Sequence, residues 1–133
     1  MKQRVLIALL SACTLLPACE ANTSKANNPP SSATQATTTV AAEIAAQKAI
    51  LLDVRTADEY ASGHAPQAKL MPYDSIAQQI SSVAPDKNQT IYLYCRSGRR
   101  SGIAAETLKS MGYTHVTDLG GLGQLGQYGL SVP

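Results

Sequence analysis

Cysteine is scarce in this chain, which has only three among its 133 residues. Cys13 and Cys19 lie in or just after an apolar N-terminal stretch, so Cys95 is the only thiol in the rest of the chain. A single thiol excludes a disulfide framework within that part. A lone cysteine is either a buried, inert side chain or a reactive thiol. The basic and glycine-containing residues that follow Cys95 favour the reactive thiol.

The sequence also lacks an apolar run of about 20 residues, the length that a membrane-spanning helix requires. The apolar stretch 5–18 follows the basic start Met1–Arg4 and fits the central region of a signal peptide. Leu16-Pro17-Ala18-Cys19 resembles the lipobox of bacterial lipoproteins, which predicts lipidation of Cys19; a lipobox ending at Cys13 would leave too short an apolar region. We therefore expect a periplasmic protein attached to the membrane by a lipid anchor only. The alternative is an ordinary cleaved signal and a soluble periplasmic product.

An excess of charge of either sign is missing as well. The chain has 11 Lys and Arg against 9 Asp and Glu, a formal net charge of +2. Lys2 and Arg4 belong to the predicted signal, so its removal takes two of the eleven and leaves nine charges of each sign. A neutral protein gives no support for binding nucleic acid or a polybasic membrane site. Because three of the nine remaining cations are Arg96, Arg99 and Arg100, the positive field is local.

Composition divides the chain after the signal into two parts. Residues 19–39 are mainly Asn, Thr, Ser, Ala and Pro, with almost no large apolar side chain. Such a segment cannot bury enough apolar surface to offset its ordering entropy, so it is predicted to be a disordered tether. Residues 40–133 form one predicted domain, large enough for a single core without disulfides.

Strand and helix patterns alternate along residues 40–133. The continuous apolar run Ile50–Val54 is typical of a parallel sheet covered on both faces. Thr56 and Glu59 have capping-box spacing and predict a short helix that stops at Gly63. Asp74 is predicted to cap a helix that carries Ile76, Ile80 and Val83 on one stripe. The other predicted elements are a helix over Val40–Lys48, a brief strand Lys69–Met71, a strand over 91–94, a helix over 100–111 stopped by Gly112, and a last strand near His115–Leu119. The pattern indicates an α/β fold, a small and mostly parallel sheet flanked by helices on both faces.

The heptapeptide Cys95–Ser101 joins a buried strand to a helix N-terminus. The N–H groups of such a loop and of the first helical turn favour negative charge, as does the helix dipole. Arg96, Arg99 and Arg100 add to that field. The setting stabilises a thiolate and binds an anion beside it, as a cysteine nucleophile acting on an anionic substrate requires.

A glycine pattern near the C-terminus needs a separate interpretation. Gly121–Gly126 matches G-x-G-x-x-G and follows a predicted strand. A dinucleotide site would also need a long helix, a second strand and an acidic residue about 20 positions later. Only seven residues follow Gly126, so we expect a glycine-rich closing segment instead.

Three ordered motifs resemble those of one family, the rhodanese domains. Asp53–Tyr60 and Gly63–Ala68 resemble the "DVR…EY…GHIPGA" stretch of this family, and Tyr94–Ser101 resembles its active-site loop. Two further segments, Pro85–Asn88 and Met111–Val116, are especially similar to periplasmic single-domain rhodaneses of the phage-shock type. The similarity extends from about Ile50 to Leu122. The chain departs from the family at Ala65 and Gln67 and in having no tryptophan after Gly120–Gly121.

The resemblance implies a thiosulfate sulfurtransferase. A Cys95 thiolate would attack the outer sulfur of thiosulfate, release sulfite and hold the sulfur as a persulfide. Cyanide, a small thiol or a protein thiol would then accept it. The residues implied to bind the substrate and cradle the persulfide are Arg96, Ser97, Gly98, Arg99, Arg100 and Ser101. We expect neither a cofactor nor a metal ion.

Four other polar residues are expected to have supporting roles. Asp53 and Arg55 lie at the C-terminal end of the first strong strand, where α/β sites form. An internal ion pair or a loop brace is expected for them. His64 is expected to organise its loop rather than act as a base for Cys95, and His115 to lie at the surface.

Two further function classes stay open from the residues. Cysteine phosphatases and arsenate reductases share this fold and loop, but they need an arginine six residues after the nucleophile. Position 101 is serine, and Arg100 lies one residue too early. The other class is a non-catalytic sulfur carrier or an envelope interaction module. The intact Cys95 argues against an inactive domain but is compatible with a carrier.

Overall fold

The computed structural model describes residues 40–133, so the predicted signal (1–18) and tether (19–39) lie outside the described residues. Residues 40–45 are helical. The strands that follow are β1 (Ala49–Asp53), β2 (Lys69–Leu70), β3 (Thr90–Cys95) and β4 (Val116–Gly121). The helices are α1 (Ala57–Ala61), α2 (Ile76–Val83), α3 (Arg99–Ser110) and a 3-10 helix (Leu122–Tyr128). None of the helices in this part of the chain has the length and apolarity of a membrane span.

The four strands form one parallel sheet in the order β2-β1-β3-β4. The two central strands, β1 and β3, are the continuous apolar runs of the sequence. Such runs occupy the middle of parallel sheets because both of their faces are covered. The predicted α/β fold with a parallel sheet is therefore confirmed.

Each face of the sheet has its own core, and the alternation of side chains along β3 assigns residues to them. Leu93 and Cys95 belong to the core that includes Ile80 of α2 and Leu108 of α3. Tyr94, between them, belongs to the opposite core with Ile44 and Leu125. Because side chains alternate with a period of two, this register places the Cys95 side chain on the face that α3 covers.

Several predicted boundaries differ from the structure. The predicted cap at Asp74 is wrong: Ser75 is the N-cap of α2, and no side chain caps that helix. The first helix ends at residue 45 and β1 starts at Ala49 and ends at Asp53. β2 excludes Met71, whose N–H instead donates to the Asp53 carbonyl at 2.9 Å. β4 continues to Gly121 because that residue pairs with Cys95.

Other local predictions are confirmed. The capping box at the start of α1 is present, with Thr56 and Glu59 bonded reciprocally. α3 spans Arg99–Ser110, one residue earlier at each end than predicted; Met111 is its C-cap, and Gly112 follows with φ of 92°. A residue at positive φ cannot continue a right-handed helix, which accounts for glycine at this stop.

Candidate active site

Cys95 is the last residue of β3, and its thiol lies beneath the loop that follows. The backbone N–H of Gly98 donates a hydrogen bond to the sulfur at 3.0 Å. The Ser101 hydroxyl lies 3.5 Å from the same atom. Cys95 and Ser101 are fully buried. The turn from strand to helix thus directs donors from both ends of the loop at one sulfur.

These donors change the acidity of the thiol. Burial is the largest single influence and raises the pKa of Cys95, because a thiolate is poorly solvated in the interior. The Ser101 hydroxyl and the N–H groups of Ser101, Ser97 and Gly98 oppose it, and together they hold the pKa below its ordinary value. The thiolate therefore persists at a pH where an ordinary cysteine is protonated, and it is lost as the pH falls through this lowered pKa.

Ser101 occupies the position where a phosphatase loop carries arginine. Its hydroxyl lies 3.0 Å from the Gly98 carbonyl oxygen and 3.4 Å from that of Gly120, besides its contact with the sulfur. One hydroxyl has one proton and donates to one of these acceptors at a time. The group facing the sulfur from this position is therefore small and uncharged.

The loop rests directly on the end of β4. Gly98 has φ of 93°, a conformation that side-chain-bearing residues rarely adopt. A Cβ on Gly121 would lie 2.7 Å from the carbonyl oxygen of Arg96 and 3.2 Å from the Cα of Ser97. The two segments approach this closely because Gly121 has no side chain.

Gly121→Ala is accordingly expected to displace the loop and to lower both stability and any activity of Cys95. Overpacking against backbone atoms costs about 1–3 kcal/mol. Urea unfolding and the rate of Cys95 alkylation measure the two effects. Gly123→Ala is the matched control, because a Cβ there meets nothing within 4 Å. Equal behaviour of the two variants would show that the close approach is unimportant.

The three loop arginines are in two different situations. Arg100 forms a bidentate ion pair with Glu59 of α1, with N···O distances of 2.7 and 2.8 Å. The hydrogen bond from Arg100 is the main reason that the pKa of Glu59 falls to about 2. Arg96 and Arg99 are exposed, and neither forms an ion pair within residues 40–133. Their charges face solvent, whereas that of Arg100 is paired.

Asp53 and Arg55 form an internal ion pair at the end of β1. Arg55 Nη2 lies 2.6 Å from Asp53 Oδ2, and its Nε and backbone N–H donate to the same carboxylate. Nη2 also donates to the Gly63 carbonyl at 2.7 Å, and the guanidinium lies 5.8 Å from the centre of the Tyr94 ring. Both residues are buried. The pair joins β1 to the loop that carries His64, and within residues 40–133 neither side chain forms a hydrogen bond with the Cys95 sulfur.

Neither histidine is among the hydrogen-bond donors at the Cys95 sulfur in the described part of the chain. The His64 ring stacks on Tyr60 with centroids 3.5 Å apart, and its Nδ1 lies 2.9 Å from the Tyr60 carbonyl oxygen. His115 is exposed and contacts the Thr114 hydroxyl. Among the described residues, no group of three or more His, Cys, Asp or Glu side chains is placed to hold a metal ion.

Sequence reasoning missed one participant, Glu59. Its spacing from Thr56 identified it as a helix cap, but nothing local indicated a partner 41 residues away. The signal that could have found it is the family motif itself, which places an acidic residue before Tyr60.

A family profile described as "Rhodanese-like domain" matches residues 36–124. The chain is 44% identical over 71 residues to thiosulfate sulfurtransferase PspE of Escherichia coli, covering 53% of this chain and 68% of that protein. It is 36% identical over 84 residues to a sulfurtransferase of Allochromatium vinosum, covering 62% and 77%. A solved structure described as a rhodanese with anions, from E. coli, superimposes with a TM-score of 0.55 at 41% identity, over 56% of this chain and 88% of that one. This chain belongs to the rhodanese-like family of sulfurtransferases.

Proposed function

We propose that this protein moves sulfane sulfur from thiosulfate to cyanide or a thiol through a persulfide on Cys95. The observation that carries the proposal is the Cys95 thiol, with its lowered pKa and its Gly98 and Ser101 donors, at the start of α3. A thiolate held at a helix N-terminus is a nucleophile that tolerates an anionic substrate.

The proposed reaction has two balanced steps. The Cys95 thiolate attacks the outer sulfur of thiosulfate, so that a new S–S bond forms as the S–S bond of thiosulfate breaks. Sulfite departs with the bonding electron pair, and the persulfide keeps one negative charge. Cyanide then attacks the outer sulfur to give thiocyanate, or a thiol attacks it to give a new persulfide; both regenerate the Cys95 thiolate.

The loop supplies the electrostatic support for these steps. The donors that now stabilise the Cys95 sulfur are suited to a persulfide, whose negative charge lies on the outer sulfur. The exposed Arg96 and Arg99 are suited to attract the thiosulfate dianion and to stabilise departing sulfite. Arg100 is a weaker candidate for this contact than the sequence suggested, because Glu59 occupies its guanidinium.

The relatives support the same reaction. The E. coli protein is named a thiosulfate sulfurtransferase, and the E. coli structure is described as a rhodanese with anions. A carrier that accepts sulfur without turning over is the second candidate, because a relative from Bacillus subtilis is named a putative sulfur carrier protein.

Incubation with thiosulfate is expected to increase the intact mass of the protein by one sulfur atom, and later cyanide to restore it with release of thiocyanate. The loading rate should fall as the pH drops through the lowered pKa of Cys95, because the thiolate is the attacking species. Loading without turnover by cyanide or a dithiol would indicate a carrier. No adduct, together with hydrolysis of an aryl phosphate, would contradict sulfur transfer.

We further propose that the domain is held in the periplasm by a lipid on Cys19, with residues 19–39 as its tether. The lipobox-like sequence before Cys19 supports this proposal. Cells fed radiolabelled palmitate are expected to label the wild-type protein and not a Cys19→Ala variant. Labelling of neither, with the protein in the soluble periplasmic fraction, would indicate an ordinary cleaved signal.

A further inference from the structure

The ion pair between Glu59 and Arg100 joins α1 to the first turn of α3, and the two steps above assign no role to Glu59. Both hydrogen bonds that the Arg100 side chain makes within the described residues go to the Glu59 carboxylate. That carboxylate also accepts hydrogen bonds from the Thr56 N–H at 3.2 Å and the Thr56 hydroxyl at 3.1 Å. Its position is therefore set by the capping box of α1.

Arg100 lies in the first turn of α3, next to Ser101, whose hydroxyl is 3.5 Å from the Cys95 sulfur. The hydrogen bond with Glu59 is the main cause of the raised pKa of Arg100, and the charge of the Cys95 thiolate adds to it. Among the three loop arginines, Arg100 is the one that a carboxylate of the described residues holds. Without that carboxylate, its planar fork of donors could bind an oxyanion bidentately.

We propose that Glu59 is a specificity-determining residue, which keeps Arg100 from binding tetrahedral oxyanions such as phosphate and arsenate at Cys95 and so favours thiosulfate. The inference rests on the proposed function, because it takes the anionic substrate to approach Cys95 from the side of the Cys95–Ser101 loop. It assigns to Glu59 a role that its place in a helix cap does not require.

The two kinds of anion place their oxygens at different distances from the nucleophile. When phosphate or arsenate is attacked, the central atom contacts the sulfur and its oxygens surround that point. When thiosulfate is attacked, its outer sulfur lies between Cys95 and the sulfonate, so the oxygens lie one S–S bond farther out. A guanidinium near Cys95 therefore assists phosphate more than thiosulfate, whereas the exposed Arg96 and Arg99 are suited to the sulfonate.

The test replaces Glu59 with glutamine, which removes the charge but retains the shape of the helix cap. Full-length protein is alkylated with iodoacetamide in the presence of increasing phosphate or arsenate, and peptide mass spectrometry follows Cys95 separately from Cys13 and Cys19. The concentration that halves the alkylation rate gives the affinity for each anion. The KM for thiosulfate is measured in parallel by thiocyanate formation.

In Glu59→Gln, phosphate and arsenate are expected to protect Cys95 at about tenfold lower concentration, the size of one charge-assisted hydrogen bond. The KM for thiosulfate is expected to change less than about twofold, the effect of one screened surface charge. Adding Arg100→Gln should abolish the gain. Glu106→Gln is the matched control: it removes a carboxylate of α3 that pairs with Lys109 instead, and it should change neither value.

Three outcomes would overturn the inference: unchanged protection by phosphate, an equal change for phosphate and thiosulfate, or a gain that persists without Arg100. Each differs from failure of the proposed function, which would appear as absence of a persulfide on the wild-type protein. The alkylation measurement stays valid in that case, because it does not depend on turnover.

Discussion

Cys95→Ser is expected to abolish sulfur loading from thiosulfate and to reduce turnover by about a thousandfold or more, as loss of a covalent nucleophile does in other enzymes. A serine hydroxyl is not ionised near neutral pH, so it cannot attack sulfur as a thiolate does. Serine keeps nearly the same size and can still accept the Gly98 N–H, so the loop is expected to keep its conformation. The loss is therefore one of chemistry rather than of folding.

Intact mass after thiosulfate treatment and the rate of thiocyanate formation measure this effect. The matched control is the unprocessed chain with Cys13 and Cys19 both changed to serine, because it leaves Cys95 as its single thiol. It should load one sulfur, as the wild type does. Loading of Cys95→Ser, or loss of loading in the control, would show that another cysteine carries the sulfur.

Asp53→Ala is expected to have the largest effect on stability among single substitutions near the site. Arg55 is only 3% exposed, so this substitution leaves its guanidinium in the interior without a carboxylate partner. Removal of one member of a buried ion pair costs about 3–5 kcal/mol. The total stability of a small domain is only about 5–15 kcal/mol, so the midpoint of urea unfolding should fall steeply.

Two further variants separate the ion pair from simple loss of packing. Arg55→Met is expected to cost less than Asp53→Ala, because an unpaired carboxyl can take up a proton whereas a guanidinium cannot lose one. The double variant Asp53→Leu with Arg55→Met should be more stable than Asp53→Ala alone, since it leaves no unpaired charge. If Asp53→Ala lowers the free energy of unfolding by less than about 1 kcal/mol, the range of a surface pair, the Asp53–Arg55 ion pair does not stabilise the fold as a buried pair would.

Much of the fold could be predicted because its signals are local. The apolar runs that became β1 and β3 are continuous, and this property alone indicates central strands of a parallel sheet. The capping box of α1 needs only the spacing of Thr56 and Glu59. The predicted cap at Asp74 was wrong because more than one nearby polar residue could begin that helix, and the local sequence does not distinguish among them.

The site could be predicted in composition but not in arrangement. The seven consecutive residues from Cys95 to Ser101 show that the cysteine precedes a basic, glycine-containing loop. The need for glycine at 121 depends on the approach of a segment that is distant in the chain. The difference between Arg100 and its two neighbours likewise depends on Glu59, which α1 brings to the loop.

The sequence by itself determined the α/β class, the family and the position of the thiol, because strand and helix periodicity and the loop motif involve neighbouring residues. Only the tertiary structure decided which loop arginine is paired with a carboxylate, which donors reach the Cys95 sulfur and what Asp53 and Arg55 join. These are contacts between elements, and their energies depend on distances that no local pattern encodes. The charge of a side chain can be read from the sequence, but its partner depends on how the chain folds.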